Sequence, residues 1–391
     1  VQRHNDPAWT ASYLAALTPD RLNERGLTGR LWKDYLRPQI EAVRSQLDAL
    51  TPLEADYFHT LYNFITRELC TSKSGDTDHE GHAGAASVWL STLAEKVEAG
   101  EIIHGLRLAD NRADDAQRPV LLLARPPQEE EEGTPLPNFR QGDAVILYER
   151  NTDADQACHK LVFRGTIEDI TGAEVRIRLR SAQHNAAVLP AGSRYAVEHD
   201  RMDTAFRGMY RGLAAFLQAT RRRRDLLLGQ RPPEFDTSLD DAIAAAPDDF
   251  ARITLKARAA RDCFLLIGPP GTGKTSRALR GMVEAMHAEG KQLLLLSYTN
   301  RAVDEICRML SAVTPPLDFI RLGGELACDE RYRPHLMENA LAGCADRRAV
   351  RRRIAACRVF VGTVATVSAK TELFRLKTFD VALVDEATQI L

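Results

Sequence analysis

The sequence predicts an α/β fold: a parallel sheet in the C-terminal part, preceded by a helical stalk and a small β-barrel. Residues 248–391 alternate short apolar strands with amphipathic helices, which is typical of parallel α/β domains. Residues 138–198 alternate apolar and polar side chains with a period of two, as antiparallel strands do. Residues 1–125 carry many of their apolar side chains at helical spacing, which favours a helical N-terminal region.

The composition is that of an ordinary globular protein. The chain has 391 residues, of which 44% are hydrophobic and 27% charged, so we expect two or three domains. The net charge of −2 neither requires nor excludes a nucleic-acid partner. Seven widely spaced cysteines without a C-x-x-C pair indicate reduced thiols. No apolar run approaches a membrane span of about 18 residues. We therefore expect a soluble protein with no membrane partner, in a reducing compartment, cytoplasmic or nucleoid/nuclear.

Two helices are predicted at the start of the stalk. Apolar side chains recur at helical spacing from Pro38 to Leu50, and again from Leu53 to about residue 70. The Thr51-Pro52 pair separates them, so the segments form a helical hairpin or a long stalk. A third helix is expected around Trp89. Residues 72–84 form a predicted loop between the second and third helices. A solvated loop is favoured over a metal site, although the loop contains Asp78, His79, Glu80 and His82.

An acidic, proline-rich tract at residues 126–137 is the best linker candidate. Ahead of it, Ile102–Leu108 and Val120–Ala124 could pair as strands. Beyond it, four short strands in about 60 residues predict a small barrel at 138–198. One of these strands places three cations on a single face. That row could follow a phosphate backbone or simply face solvent, and it comprises Arg176, Arg178 and Arg180.

The segment 199–247 predicts a second stalk helix and a connector. An apolar stripe runs from Phe206 to Leu217, and Arg221–Arg224 follow near the expected helix end. Cations there gain from the helix macrodipole and need no further role.

The motif that organises the chain is Gly268–Ser276, which fits G-x-x-x-x-G-K-[ST]. An apolar run, Cys263–Ile267, precedes it and predicts a buried parallel strand, and a helical pattern follows it. A strand, a glycine turn and a helix direct backbone N–H groups at one spot, which suits a polyphosphate such as that of a nucleotide. Lys274 would reach the β- and γ-phosphates, and Thr275 would ligate Mg²⁺. The cofactor-binding set is Gly268, Pro269, Pro270, Gly271, Thr272, Gly273, Lys274, Thr275 and Ser276.

Two further strand ends carry small polar side chains. Leu293–Leu296 predicts a buried strand that runs into Ser297-Tyr298-Thr299-Asn300 and a helix. Val359–Val361 then Gly362-Thr363 repeats the arrangement. Hydroxyl and amide groups at the carboxyl end of a strand, opening a helix, can hold a phosphate. The candidate nucleic-acid contacts are Ser297, Thr299, Asn300, Gly362 and Thr363.

The acidic half of the site is predicted at Asp385 and Glu386, directly after the apolar run Val381–Val384. Such a strand delivers its carboxylates to the edge of the sheet. Asp385 would hold Mg²⁺, directly or through water, and Glu386 would polarise the attacking water. An isolated Asp-Glu pair is usually surface charge, but this one follows a strand downstream of a complete phosphate loop.

The series GPPGTGKTS, LLLLSYTNRAVDEI, CRVFVGT and FDVALVDEATQI resembles the superfamily 1 helicases of the 5′ to 3′ subclass. Within that subclass it is most similar to the nuclease–helicases of DNA replication and repair, and next to the RNA helicases of nonsense-mediated decay. The resemblance implies a RecA-like motor domain preceded by a helical stalk and a barrel, with FRQGDAVILY as the opening strand of the barrel. It also implies that Thr299, Asn300 and Thr363 touch strand phosphates and that Gln389 senses the γ-phosphate.

Four features of the family have no counterpart in the sequence. A glutamine that reads adenine usually stands about 20 residues before the phosphate loop, where this chain has Phe250–Lys256. A second RecA-like domain, which supplies an arginine finger, has no counterpart, so we expect the chain to be part of a longer protein. The iron–sulfur cysteines and the nuclease carboxylates of the DNA-acting relatives are also without counterpart.

The sequence therefore predicts an ATP-dependent helicase or translocase on single-stranded DNA, with the RNA-acting relative as the near alternative. The predicted catalytic residues are Lys274, Asp385, Glu386 and Gln389, and Thr275 and Asp385 are the metal ligands. A hexameric remodelling ATPase is a second class, since GPPGTGKT is frequent there too. A nucleotide-switched binding module without motor activity is a third.

Overall fold

The computed structural model describes residues 6–74, 91–125, 137–200, 204–269 and 271–390. The chain forms two compact units, Val1–Leu217 and Gln218–Leu391. None of the helices in the described ranges is both long and apolar enough to cross a membrane. Of the loop predicted at 72–84, residues 72–74 belong to a helix that ends at Ser74, and the rest lies outside the described residues, as do Trp89 and most of the acidic tract.

Helices open and close the first unit. Helix α4 precedes the barrel and α6 follows it, and the two pack side by side with Tyr57 against Phe216 and Thr66 against Tyr210. The later residue of α4 contacts the earlier residue of α6, so the two helices are antiparallel. We keep as a proposal that this helix pair forms the predicted stalk. The helices are α1 Pro7–Ala16, α2 Pro19–Leu22, α3 Arg37–Asp48, α4 Pro52–Ser74, α5 Leu93–Glu98 and α6 Thr204–Gln218.

The other part of this unit is a closed antiparallel barrel, as the period-two pattern predicts. Its strand order is β1-β2-β5-β4-β3-β6, and β1 pairs with β6 to close it. Alternate side chains of every strand fill the interior, among them Leu106, Leu121, Val145, Ile177 and Val197. The strands are β1 Ile102–Arg112, β2 Val120–Ala124, β3 Ala144–Glu149, β4 Val162–Ile170, β5 Glu174–Leu179 and β6 Arg194–His199.

The barrel begins earlier than the sequence predicts. Strands β1 and β2, assigned above to the N-terminal region, are two of its six strands. The first residue of the barrel is therefore Ile102 and not residue 138. The tract 126–137 consequently stands between β2 and β3, two strands of one barrel, and does not separate two domains. An acidic, proline-rich composition predicts a linker, but it does not show whether the strands on either side of the linker belong to the same sheet.

The arginine row of β5 is largely neutralised by acids of the same barrel. Arg178 pairs with Glu168, whose side chain is 5% exposed, and Arg180 lies 3.2 Å from a carboxylate oxygen of Asp200. Arg176 is exposed. Two of the three cations therefore serve the barrel itself, which favours the structural interpretation of the row.

A buried charge pair joins α5 to the barrel. Lys96 Nζ lies 3.0 Å from Glu198 Oε1, and both side chains are only 2% exposed. Tyr148 donates its hydroxyl proton to the same carboxylate oxygen at 2.5 Å. Burial and the neighbouring carboxylate both raise the pKa of Tyr148, so the phenol stays protonated and continues to donate.

Removing one member of this pair is expected to destabilise the first unit strongly. Glu198→Ala leaves a buried ammonium without its partner, and the free energy of unfolding should fall by about 3–5 kcal/mol. The exposed pair Arg30–Asp34 is the matched control, because its side chains are 95% and 52% exposed and Arg30→Ala should cost at most about 0.5 kcal/mol. Urea unfolding of both variants checks the contrast, and equal losses would contradict it.

The second unit contains a four-stranded parallel sheet of order β10-β7-β9-β8. Helices cover both faces, with one apolar cluster around Val283, Leu295 and Val359 and another around Ile320, Phe360 and Ile354. The strands are β7 Leu293–Ser297, β8 Phe319–Leu322, β9 Val359–Thr363 and β10 Val381–Val384. The helices are α7 Arg221–Leu227, α8 Asp240–Ala244, α9 Asp249–Ala259, α10 Arg280–Ala288, α11 Asn300–Ser311, α12 Met337–Leu341, α13 Arg347–Ala356, α14 Val364–Ala369 and α15 Leu373–Leu376.

The buried strand predicted at Cys263–Ile267 is wrong for this structure. The segment has no regular secondary structure and pairs with no strand of the described sheet. Phe264 and Leu266 pack on the core, whereas Leu265 and Ile267 are 81% and 94% exposed. An apolar run specifies burial on both faces, but here only one face finds a neighbour among the described residues.

Candidate nucleotide site

The phosphate loop owes its shape to two glycines. Gly271 and Gly273 have φ angles of 79° and 82°, the left-handed region that other residues adopt at a cost. Thr272 donates its hydroxyl proton to the Pro269 carbonyl at 2.8 Å, which tightens the turn. A π-helical turn, Lys274–Leu279, then leads into α10. Pro270, part of the predicted set, lies outside the described residues.

Lys274 and Thr275 stand at the start of that turn. The ammonium of Lys274 donates to the carbonyls of Gly268 at 2.5 Å and Pro269 at 3.0 Å, so it lies folded over the loop. The hydroxyl of Thr275 donates to Asp385 Oδ2 at 2.8 Å, across 110 residues of sequence. This hydrogen bond brings together the two residues that the sequence predicts as metal ligands. A hydroxyl beside a carboxylate is a hard oxygen donor set that fits Mg²⁺.

The acidic residues follow β10. The backbone N–H of Asp385 donates to Leu296 of β7, which fixes this carboxylate at the edge of the sheet. Glu386 has a φ of 54°, the single non-glycine residue at positive φ in the described ranges. Gln389 Nε2 donates to Glu386 Oε2 at 2.8 Å. Strained backbone of this kind costs about 1–3 kcal/mol and often marks functional sites.

The predicted strand contacts divide into exposed and buried residues. Thr299 and Asn300 are exposed at the start of α11, where the Thr299 hydroxyl also accepts from the N–H of Ala302 at 3.2 Å. Ser297 is 0% exposed and Gly362 is buried, so neither is accessible in this structure, and their contact with a nucleic acid stays a prediction. Both lie near the carboxyl ends of the two central strands, which have a neighbouring strand on each side. Thr363 is 5% exposed, and its hydroxyl caps α14 by accepting from the N–H of Thr366.

One feature beside the loop escapes the sequence prediction. The guanidinium of Arg277 lies 3.8 Å from the centroid of the Phe250 ring. Both side chains border Gly273, where an added Cβ would lie 3.3 Å from Arg277 Cδ and 3.5 Å from Phe250 Cζ. Phe250 belongs to the segment noted above for lacking an adenine-reading glutamine. The 23-residue gap between ring and loop glycine carries no periodic signal that would pair them.

A glycine loop before a helix, a lysine over the loop, and a threonine joined to an acidic strand end define a P-loop nucleoside triphosphatase domain. Among the described residues no group of three or more His, Cys, Asp or Glu side chains forms a separate metal site.

Comparison with known proteins agrees with this class. The family model described as an AAA domain matches residues 246–348. The chain is 29% identical over 270 residues to the DNA replication ATP-dependent helicase/nuclease JHS1 of Arabidopsis thaliana, covering 64% of the chain and 19% of that protein. It is 23% identical over 368 residues to the DNA replication ATP-dependent helicase/nuclease DNA2 of Bos taurus, covering 89% and 32%.

The DNA2 protein of Homo sapiens is also 23% identical, over 371 residues, covering 90% of the chain and 32% of that protein. These matches confirm the resemblance to superfamily 1 DNA helicase–nucleases. The similarity to the DNA2 proteins extends along both compact units. The chain spans about a fifth to a third of the length of these relatives.

Proposed function

We propose that the chain is the ATPase portion of a motor that moves 5′ to 3′ on single-stranded DNA. The observation that carries the proposal is the convergence at one edge of the parallel sheet. The register pairs Ser297 with Thr363 and Val384 with Leu296, so the carboxyl ends of three strands lie side by side. The hydrogen bond from Thr275 to Asp385 joins the phosphate loop to that edge.

On the nucleotide side, the loop N–H groups and Lys274 bind the ATP phosphates. Thr275 and Asp385 would hold Mg²⁺, which neutralises charge on the phosphate oxygens. Glu386 accepts a proton from the attacking water, and its hydrogen bond from Gln389 orients the carboxylate. In this proposal Gln389 also senses the γ-phosphate, a role that the family resemblance implies and that its contact with Glu386 supports.

On the strand side, Thr299 and Asn300 contact phosphates from the exposed start of α11. Thr363 contributes through the N-terminal turn of α14, because its own hydroxyl is engaged in capping. The relatives are DNA replication helicase/nucleases by name, which favours DNA as the substrate. RNA is the alternative substrate for the same geometry, since phosphate contacts carry no base information.

The test is ATP turnover of the full-length protein without polymer, with single-stranded DNA, and with single-stranded RNA of equal length. Faster ATP turnover in the presence of single-stranded DNA supports the proposal. Faster turnover with RNA alone would favour the RNA-acting alternative. Turnover that ignores both polymers would contradict a nucleic-acid motor and favour a remodelling ATPase. Binding of ATP without any turnover would favour the switch module.

The stacked pair Phe250 and Arg277 predicts weak selectivity among nucleobases. An aromatic ring and a guanidinium hold a base by its face, which all bases share, and residues 246–262 contain no asparagine or glutamine to read an edge. We expect ATP, GTP and CTP to bind within about tenfold of one another, and Phe250→Gln to favour ATP, since hydrogen-bonded readout discriminates more strongly. Competition against a fluorescent ATP analogue measures this, and strong ATP preference in the unmodified protein would contradict it.

A further inference from the structure

Helix α13 carries a concentrated patch of positive charge that the proposed motor site does not use. Four of its ten residues are exposed arginines. At 3.6 residues per turn they occupy a sector of about 140° of the helix surface. We name this sector the α13 arginine face. It comprises Arg347, Arg348, Arg351 and Arg352.

The α13 arginine face is not neutralised by the part of the protein that the structure describes. Within the described ranges, none of its four side chains forms an ion pair or a hydrogen bond. The nearest acid in sequence, Asp346, accepts from the N–H of Ala349 as the helix cap. The other arginine run of this unit differs, since Arg221 pairs with Asp225 and Arg222 with Glu234.

The arrangement is unfavourable for the isolated helix. Arg347 and Arg351 stand four residues apart, as do Arg348 and Arg352, and like charges at that spacing repel. Two of the four also lie in the first turn, where the helix macrodipole disfavours cations. Binding of an anionic partner to the α13 arginine face would offset both the repulsion between the arginines and their unfavourable interaction with the macrodipole.

The fold directs one end of this face toward the motor site. At the last turn, Arg353 forms two hydrogen bonds of 2.7 and 2.8 Å with Asp318, which directly precedes β8. Helix α13 connects the parallel strands β8 and β9, so it runs opposite to them. Its first turn, with Arg347 and Arg348, therefore lies toward the carboxyl ends of the strands, as Thr299 and Asn300 do.

We propose that the α13 arginine face binds the phosphate backbone of the nucleic acid, as a second contact beside the exposed start of α11. Arginine suits this partner, because its planar fork donates two parallel hydrogen bonds to a phosphate. The two i,i+4 pairs repeat cations about 6 Å apart along the helix, which matches an extended line of anions better than a single one. The inference rests on the proposed function, since it names a further surface for the same strand.

The test measures single-stranded DNA affinity of the full-length protein between about 50 and 200 mM salt, the range in which counterion release is resolved. The variant replaces all four arginines by glutamine, which preserves helix propensity. The slope of log K against log salt should become shallower by about 3, because each phosphate contact on a single strand contributes about 0.7. Affinity for a fluorescent ATP analogue should be unchanged, which verifies the fold.

A charge-matched comparison separates a specific contact from a general loss of charge. Arg347→Gln with Arg351→Gln should reduce the slope by about 1.4. Arg221→Gln with Arg222→Gln removes the same charge from ion-paired positions and should leave the slope unchanged. Equal reductions in both pairs would overturn the inference, as would an unchanged slope in the fourfold variant.

The outcomes also distinguish this inference from the proposed function. If the unmodified protein does not bind single-stranded DNA, the motor proposal fails with it. If it binds, and only a polyglutamate chain loses affinity for the fourfold variant, the face serves an acidic protein and the inference alone is overturned.

Discussion

Glu386→Gln is expected to lower DNA-stimulated ATP turnover by about 10²–10⁴-fold, the contribution typical of a general base. Glutamine has the same shape and its carbonyl oxygen can still accept from Gln389 Nε2, so the local hydrogen bond survives. What is lost is the ability to take a proton from water. Steady-state turnover of the full-length protein measures the effect.

Nucleotide affinity is the control for this variant. Because Glu386 lies beyond the phosphate loop and bears no predicted ligand role, ATP should bind Glu386→Gln about as tightly as the unmodified protein. If turnover of Glu386→Gln stays within threefold of the unmodified protein, Glu386 is not the general base. Equal losses of binding and turnover would instead assign it to holding the nucleotide.

Lys274→Ala is expected to weaken both binding and hydrolysis. The ammonium that now caps the Gly268 and Pro269 carbonyls is free to swing to a phosphate, and a hydrogen bond to a charged group contributes about 1.5–3 kcal/mol. ATP affinity should fall about ten- to 150-fold, and turnover of the bound nucleotide by a further factor of about 10²–10³. Titration with a fluorescent ATP analogue and single-turnover hydrolysis measure the two losses separately.

Lys291 offers the comparison, since it is a lysine of the same unit whose side chain is 43% exposed and lies 3.9 Å from Glu289. Lys291→Ala should leave affinity and turnover unchanged. If Lys274→Ala also bound ATP normally, the loop would have to hold its phosphates through backbone N–H groups alone.

The sequence predicts those parts of the site that belong to a local motif. Lys274 and Thr275 could be identified from the pattern of the phosphate loop, and Asp385 from the apolar strand that it follows. Burial at the carboxyl end of a strand could not be predicted, because it depends on the neighbouring strand. Ser297 and Gly362 match the pattern of a phosphate contact but are enclosed by the sheet.

Features that join distant segments also escape local patterns. The stack of Phe250 on Arg277 unites residues from two helices, and neither side chain belongs to a recognisable motif. The barrel also shows that local patterns do not predict which distant strands pair. Its strands are individually predictable from alternation, yet the membership of β1 and β2 depends on pairings with β5 and β6 that only the closed sheet reveals.

The closure of the barrel has a consequence for how this chain could have arisen. Ile102 at its entrance pairs with Glu198 at its exit, so the polypeptide enters and leaves through adjacent positions. The antiparallel contact between α4 and α6 is therefore independent of the path that lies between them. Such a segment can be acquired, replaced or lost as one block during evolution while both flanking helices keep their course.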